Sequence, residues 1–163
     1  MTRVALSNAV ASSLSQLDPP AQATFEANAE TLRSRLERLD AAFRKGLSDC
    51  DRRQLVTSHT AFGYLADAYQ LEQVGLTGLT PETEPNPQEL ADVTTFVRDN
   101  DVQTIFYETL VSPDVAETVA QSTGASTSVL DPLEGLSDES AGDDYLQVMQ
   151  SNLTNLQEGL PCR

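Results

Sequence analysis

His59 is the only histidine in the chain, and it ends a run that reads as a buried strand, Leu55-Val56-Thr57-Ser58-His59. Two other strand-like runs also end in residues that bind cations. Ile105-Phe106-Tyr107 leads into Glu108, and Ser128-Val129-Leu130 leads into Asp131. In an open parallel α/β sheet, ligands bind in the crevice outside the carboxyl ends of the strands. An imidazole and carboxylates collected there suit a metal or cation site. Each residue also has a simpler reading. His59 can be a buried structural or surface histidine. Glu108 can bind the amino end of the next helix, and Asp131 can start a turn. Their shared position at three strand ends is what favours the cation.

Other chemistries find less support. Ser58 adjoins His59, and neighbouring side chains alternate between faces while a strand persists, so a Ser–His nucleophile is disfavoured. There is no Gly-x-Ser-x-Gly elbow, phosphate-binding glycine loop or dinucleotide fingerprint. A carboxylate pair of Glu108 and Asp131 for acid–base work remains a minor alternative.

These residues need a scaffold, and hydrophobic spacing supplies it. Leu6, Val10, Leu14 and Leu17 recur at helical intervals. Asp18-Pro19-Pro20 ends that helix and starts a second, with Asp18 as the cap and Pro19 at the first helical position. Phe25, Ala29, Leu32, Leu36, Leu39, Phe43 and Leu47 form one apolar stripe on a long helix. After Gly46 the pattern changes to alternating strands and helices. Strands are expected at about 53–58, 73–76, 102–107 and 126–130. The intervening helices carry Phe62, Leu65, Ala66 and Tyr69, then Leu90, Val93, Phe96 and Val97, then Val115 and Val119. Asn86-Pro87-Gln88-Glu89 is a capping box, Ser112-Pro113 caps the following helix, and Gly124 stops it. A turn-rich segment, Thr80 to Pro85, and an acidic loop, 134–144, are expected to be irregular. A last helix bears Leu146, Met149, Leu153, Leu156 and Leu160. The fold class is therefore α/β, a four-stranded parallel sheet flanked by helices and preceded by a long helix.

The 163 residues are 39% hydrophobic, enough for a packed core. The net charge of −15 argues against nucleic acid and anionic membrane as partners and is compatible with attracting cations or with simple solubility. A single lysine among many acidic residues also suits a salty habitat or a GC-rich genome. No apolar run approaches the roughly 20 residues that cross a bilayer. The first residues lack the apolar core of a secretory signal, which fits either a cytoplasmic protein or a piece of a longer one. Cys50 and Cys162 have no zinc-ribbon spacing. They are open to two readings, free thiols in a reducing compartment or a disulfide in an oxidising one.

Four segments resemble one family. Val56-Thr57-Ser58-His59-Thr60-Ala61-Phe62-Gly63-Tyr64-Leu65 is similar to the SHxAFGYLA segment of zinc-type (cluster A-I) ABC-transporter solute-binding proteins. Glu84-Pro85-Asn86-Pro87 resembles their EPSP loop. Ile105-Phe106-Tyr107-Glu108-Thr109-Leu110-Val111-Ser112-Pro113 and Val129-Leu130-Asp131-Pro132-Leu133 resemble two further segments, in the family's order.

The resemblance implies a receptor of two α/β lobes joined by a rigid helix, with the metal between them. Residues 1–17 resemble the last helix of the first lobe, 18–48 the linking helix and 49–163 the second, metal-binding lobe. It implies His59 and Asp131 as metal ligands, Glu108 as the partner of a ligand, and a Cys50–Cys162 disulfide like that of some relatives. It also implies Zn²⁺ as cargo, with Mn²⁺ less favoured because of the histidine at 59, and an ABC permease as the recipient. Localisation would be extracytoplasmic, or cytoplasmic were the chain complete as it stands. The first lobe's two histidines, the lipoprotein signal and a His-rich loop have no counterpart in these residues. A partial ligand set, weak zinc binding by the chain alone and self-association through an exposed linking helix are therefore expected. The competing expectation is a truncated α/β interaction module without a metal.

Overall fold

The computed structural model describes residues 2–77, 86–109, 112–136 and 140–163. They fall into two compact units, Met1–Ala42 and Phe43–Arg163. Among the described residues no helix is long and apolar enough to cross a membrane.

The first unit contains α1 (Thr2–Leu17), a 3₁₀ turn (Pro19–Ala21) and the larger part of α2 (Gln22–Gly46). Proline occupies the start of the turn, as its fixed φ favours. Asp18 precedes it, but its side chain makes no cap hydrogen bond, contrary to expectation. The turn is instead closed by main-chain bonds, Asp18 N–H to Leu14 O at 2.9 Å and Ala21 N–H to Asp18 O at 3.1 Å. On α2, Arg33 bridges Glu30 and Glu37 along the solvent face. The apolar stripe of α2 is half-buried at Phe25, Ala29, Leu36 and Leu39, and only Leu32 is exposed. The larger exposed apolar face lies on α1, at Leu6, Val10, Leu14 and Leu17, the last being 82% exposed.

The second unit is a parallel sheet in the order β2-β1-β3-β4. Its strands are β1 (Gln54–Thr57), β2 (Glu72–Gly75), β3 (Thr104–Tyr107) and β4 (Ser126–Val129). The helices are α3 (Gly63–Tyr69), α4 (Pro87–Asp99), α5 (Asp114–Thr123) and α6 (Tyr145–Gly159). β1, β3 and β4 are shorter than their apolar runs suggested, because hydrophobic side chains continue into the turns at the sheet edge, and β2 keeps its expected length but starts one residue earlier. β1 stops at Thr57, so His59 stands two residues beyond the strand.

Alternation along the strands builds two cores. Val56 and Ile105, paired across β1 and β3, point toward α4 and α5 and pack with Val97, Ala116, Val119 and Ala120. Thr104 and Phe106 point the other way, toward α6. There Gly159 lets the helix approach, since a Cβ on it would lie 2.5 Å from Phe106 Cζ and 3.2 Å from Thr104 Cβ. The end of α2 belongs to this unit as well. Phe43 and Leu47 are buried, and Phe43 stacks on Tyr69 of α3 with ring centroids 5.0 Å apart.

Helix ends follow their local chemistry. Asn86 accepts hydrogen bonds from the N–H groups of Gln88 and Glu89, and the Glu89 carboxylate accepts one from Asn86 N–H, a complete capping box. α5 starts with Pro113 as its cap residue rather than Ser112, whose hydroxyl accepts from Asp114 N–H at 3.3 Å. Gly124 ends α5 with φ 82°, in the left-handed region. A disulfide joins Cys50 to Cys162, 112 residues apart, and ties the chain ahead of β1 to the chain after α6. The turn-rich Thr80–Pro85 segment, including Glu84 and Pro85 of the EPSP-like motif, lies outside the described residues, as do Leu110, Val111 and residues 137–139 of the acidic loop.

Candidate metal centre

The three residues singled out by type lie at the carboxyl edge of the sheet. His59 follows β1, Glu108 follows β3 and Asp131 follows β4. β3 is the neighbour of both β1 and β4, so Glu108 stands in the middle. All three are buried, at 2%, 2% and 3% exposure.

His59 and Glu108 meet directly. The imidazole Nδ1 lies against Glu108 Oε1 as an ion-pair contact rather than a well-formed hydrogen bond. The Ser58 hydroxyl donates to the same carboxylate oxygen at 3.3 Å. Strand alternation would have sent Ser58 and His59 to opposite faces. Because β1 ends at Thr57, the turn brings both to Glu108. Burial pushes the Glu108 carboxyl above the ordinary carboxylate range, while the neighbouring His59 imidazole and the Ser58 hydroxyl pull it back. Glu134, three residues past Asp131, pushes it further up, so the loop after β4 acts on the β3 end.

The main chain around His59 is tightly held. Thr57 Oγ1 donates to His59 O at 2.6 Å, and Gln73 Nε2, from β2, donates to both Thr57 Oγ1 at 2.9 Å and His59 O at 3.2 Å. Ser58 O accepts from Thr77 N–H at 2.9 Å and Thr77 Oγ1 at 3.0 Å. Two elements thus hold the backbone that carries the imidazole.

Asp131 is anchored differently. Its Oδ1 accepts from Leu133 N–H at 2.7 Å, and its Oδ2 accepts from Ser140 Oγ at 3.4 Å. The first bond is an Asx turn, and it holds Leu133 at φ 62°, which a leucine rarely adopts. Asn152 of α6 pairs with the Asp131 main chain on both sides. Among the described residues no hydrogen bond or ion pair joins Asp131 to His59 or Glu108. Nor do three or more His, Cys, Asp or Glu side chains gather closely enough to hold a metal ion.

Sequence reasoning thus named the three edge residues and missed those that hold them. From its type Ser58 suggests only a disfavoured nucleophile, yet its hydroxyl serves Glu108. Thr57 and Gln73 gave no signal separable from ordinary strand residues. Asn152 did leave one: it is an amide within the apolar ladder Val148, Leu153, Leu156 of a helix, where an unpaired polar group is costly.

The chemistry on offer is a buried imidazole backed by a carboxylate, with a second carboxylate two strands away. This arrangement suits cation capture better than acid–base work, because Glu108 is occupied by His59 and Ser58.

A family described as "zinc-uptake complex component A, periplasmic" (ZnuA) matches residues 3–159. The zinc-binding lipoprotein AdcA of Streptococcus pneumoniae (serotype 4) is 40% identical over 148 residues, which are 90% of this chain and 30% of that protein. The high-affinity zinc uptake system protein ZnuA of Bacillus subtilis is 38% identical over 145 residues, 88% of this chain and 46% of that protein. The crystal structure of the laminin-binding protein Lbp of Streptococcus pyogenes superposes with a TM-score of 0.83 at 36% identity, covering 93% of this chain and 59% of that one. The chain therefore spans less than half the length of these two curated relatives.

Proposed function

The chain belongs to the zinc-uptake component A family, and on that premise we propose that it is the second-lobe portion of a receptor that captures Zn²⁺ outside the membrane and delivers it to an ABC permease. Residues 1–17 are the last helix of the first lobe, 18–48 the linking helix and 49–163 the metal-binding lobe. His59 and Asp131 bind the ion. With Nδ1 turned to Glu108, the His59 nitrogen offered to zinc is Nε2. Glu108 fixes the ring, as carboxylates behind metal-bound histidines do. Zn²⁺ is preferred to Mn²⁺ because an imidazole is the softer ligand. Transfer needs movement of the lobes and no bond-making beyond ligand exchange.

The observation that carries this reading is the burial of His59 and Asp131 at one sheet edge, with Glu108 seated between their strands and against the imidazole. The geometry of a tight zinc site, four ligands in a tetrahedron, calls for more donors than these two. The chain by itself is thus expected to bind Zn²⁺ weakly, and a protein including the first-lobe ligands tightly. Titration calorimetry on this chain tests it. Weak binding that His59→Ala abolishes is expected, whereas a single nanomolar site on the chain, or zinc binding indifferent to His59→Ala, contradicts the reading. The expected self-association through the linking helix loses its surface, because that stripe is half-buried or buried apart from Leu32 and the exposed apolar residues lie on α1; concentration-dependent sedimentation tests whether α1 supplies it instead.

A further inference from the structure

Asn152 is 2% exposed on α6, between Val148 and Leu156 on the face that packs on the sheet. Both ends of its amide reach one residue, and Nδ2 has a further, longer contact with Met149 Sδ at 3.8 Å within the same helix. Oδ1 accepts the Asp131 N–H at 2.9 Å, and Nδ2 donates to the Asp131 C=O at 2.7 Å. These two groups belong to the peptide units before and after the Asp131 Cα, so the pair fixes the main chain on both sides of the carboxylate. Pro132 follows, with its φ set by its ring. Core packing alone does not ask for an amide here, since an apolar residue would fill the space without polar atoms to satisfy. What the amide adds is the setting of one loop residue.

We infer that Asn152 is a positioning residue for cation capture: it clamps the backbone of Asp131 so that the carboxylate is aimed before the ion arrives. The inference rests on the reading of Asp131 as a ligand. Preorganisation of this kind lowers the ordering cost of binding. Partners that orient a metal ligand change metal affinity although they never touch the metal.

A control is built into the same helix. Asn155 Nδ2 donates to Val129 O at 2.8 Å, anchoring α6 to β4 but stopping two residues short of Asp131. The test is a Zn²⁺ titration of the isotopically labelled chain, followed by NMR at the His59 ring and the Asp131 carboxyl carbon, with urea stability measured in parallel. In the unaltered chain both signals move together. Asn152→Ala weakens the zinc affinity by about tenfold to a hundredfold, whereas Asn155→Ala lowers stability and leaves zinc affinity unchanged. Equal zinc affinity in Asn152→Ala and the unaltered chain overturns the inference, as does a parallel loss in both variants, which would mean a general packing role. Absence of zinc shifts at both His59 and Asp131 in the unaltered chain is a different result. It removes the ligand reading itself, and the inference with it. If Asn152→Ala does not fold, Asn152→Ser, whose shorter side chain keeps a hydroxyl but withdraws it from the Asp131 main chain, faces the same two outcomes.

Discussion

Removing the Cys50–Cys162 bridge isolates the contribution of one covalent constraint. Cys50 and Cys162 close a loop with a separation of 112 residues. A loop of that length deprives the denatured chain of about 16 cal/mol/K of entropy, or about 4.8 kcal/mol near room temperature. The hydrogen bonds beside the bridge do not depend on sulfur: Asp51 N–H to Pro161 O at 3.2 Å and Arg163 N–H to Asp49 O at 2.9 Å. Cys50→Ser with Cys162→Ser therefore removes the constraint and leaves the local pairing. Against a total stability of about 5–15 kcal/mol, the loss is large. With a urea dependence of about 2 kcal/mol/M, the unfolding midpoint should fall by about 2 M, read by circular dichroism. The bridge lies ahead of the amino end of β1, whereas His59 follows its carboxyl end, so the zinc response of the folded double variant should persist. A midpoint drop of less than about 0.5 M would refute the loop-entropy reasoning.

Three other perturbations probe the scaffold and the site. Gly159→Ala forces a Cβ to 2.5 Å from Phe106 Cζ and should cost about 1–3 kcal/mol, seen as a lower thermal midpoint; an unchanged midpoint would mean that α6 can withdraw freely. Asn86→Ala removes the acceptor of two N–H bonds at the start of α4 and should cost about 1 kcal/mol in urea unfolding. Glu108→Gln tests the raised carboxyl. The folded chain holds that proton more tightly than the unfolded chain. Its stabilising contribution is complete below the ordinary value of about 4.3 and is lost as pH rises through the raised folded value. The stability of the unaltered chain minus that of the variant should therefore fall as pH rises above about 4.3, and a difference that is flat or rising counts against burial as the dominant cause.

How much was legible in the sequence depended on the range of the interaction. The capping box at Asn86 and the stop at Gly124 depend on neighbours a few residues away, and both are present as read. The strands showed themselves through short apolar runs, but their ends did not, since Ser58, His59 and Leu130 remain buried past the last strand residues, and Ser58 and Leu130 still bond to the neighbouring main chain. Asp18 illustrates the reverse case: a good cap residue whose turn is closed by main-chain bonds instead. The site divides in the same way. Residue type and position at strand ends named His59, Glu108 and Asp131. The meeting of Glu108 with His59 requires the order β1-β3-β4, and the hold of Asn152 on Asp131 spans 21 residues; neither follows from local pattern. The disulfide followed from the resemblance, since two cysteines alone were equally consistent with free thiols.

The account depends on His59 and Asp131 serving one ion. Cobalt(II), a paramagnetic stand-in for zinc, added to the labelled chain tests this most directly. The account predicts that signals of His59 and Asp131 broaden together at the lowest cobalt additions, and that His59→Ala abolishes the effect at Asp131. Broadening confined to surface carboxylates, or an effect at Asp131 that survives His59→Ala, would contradict it.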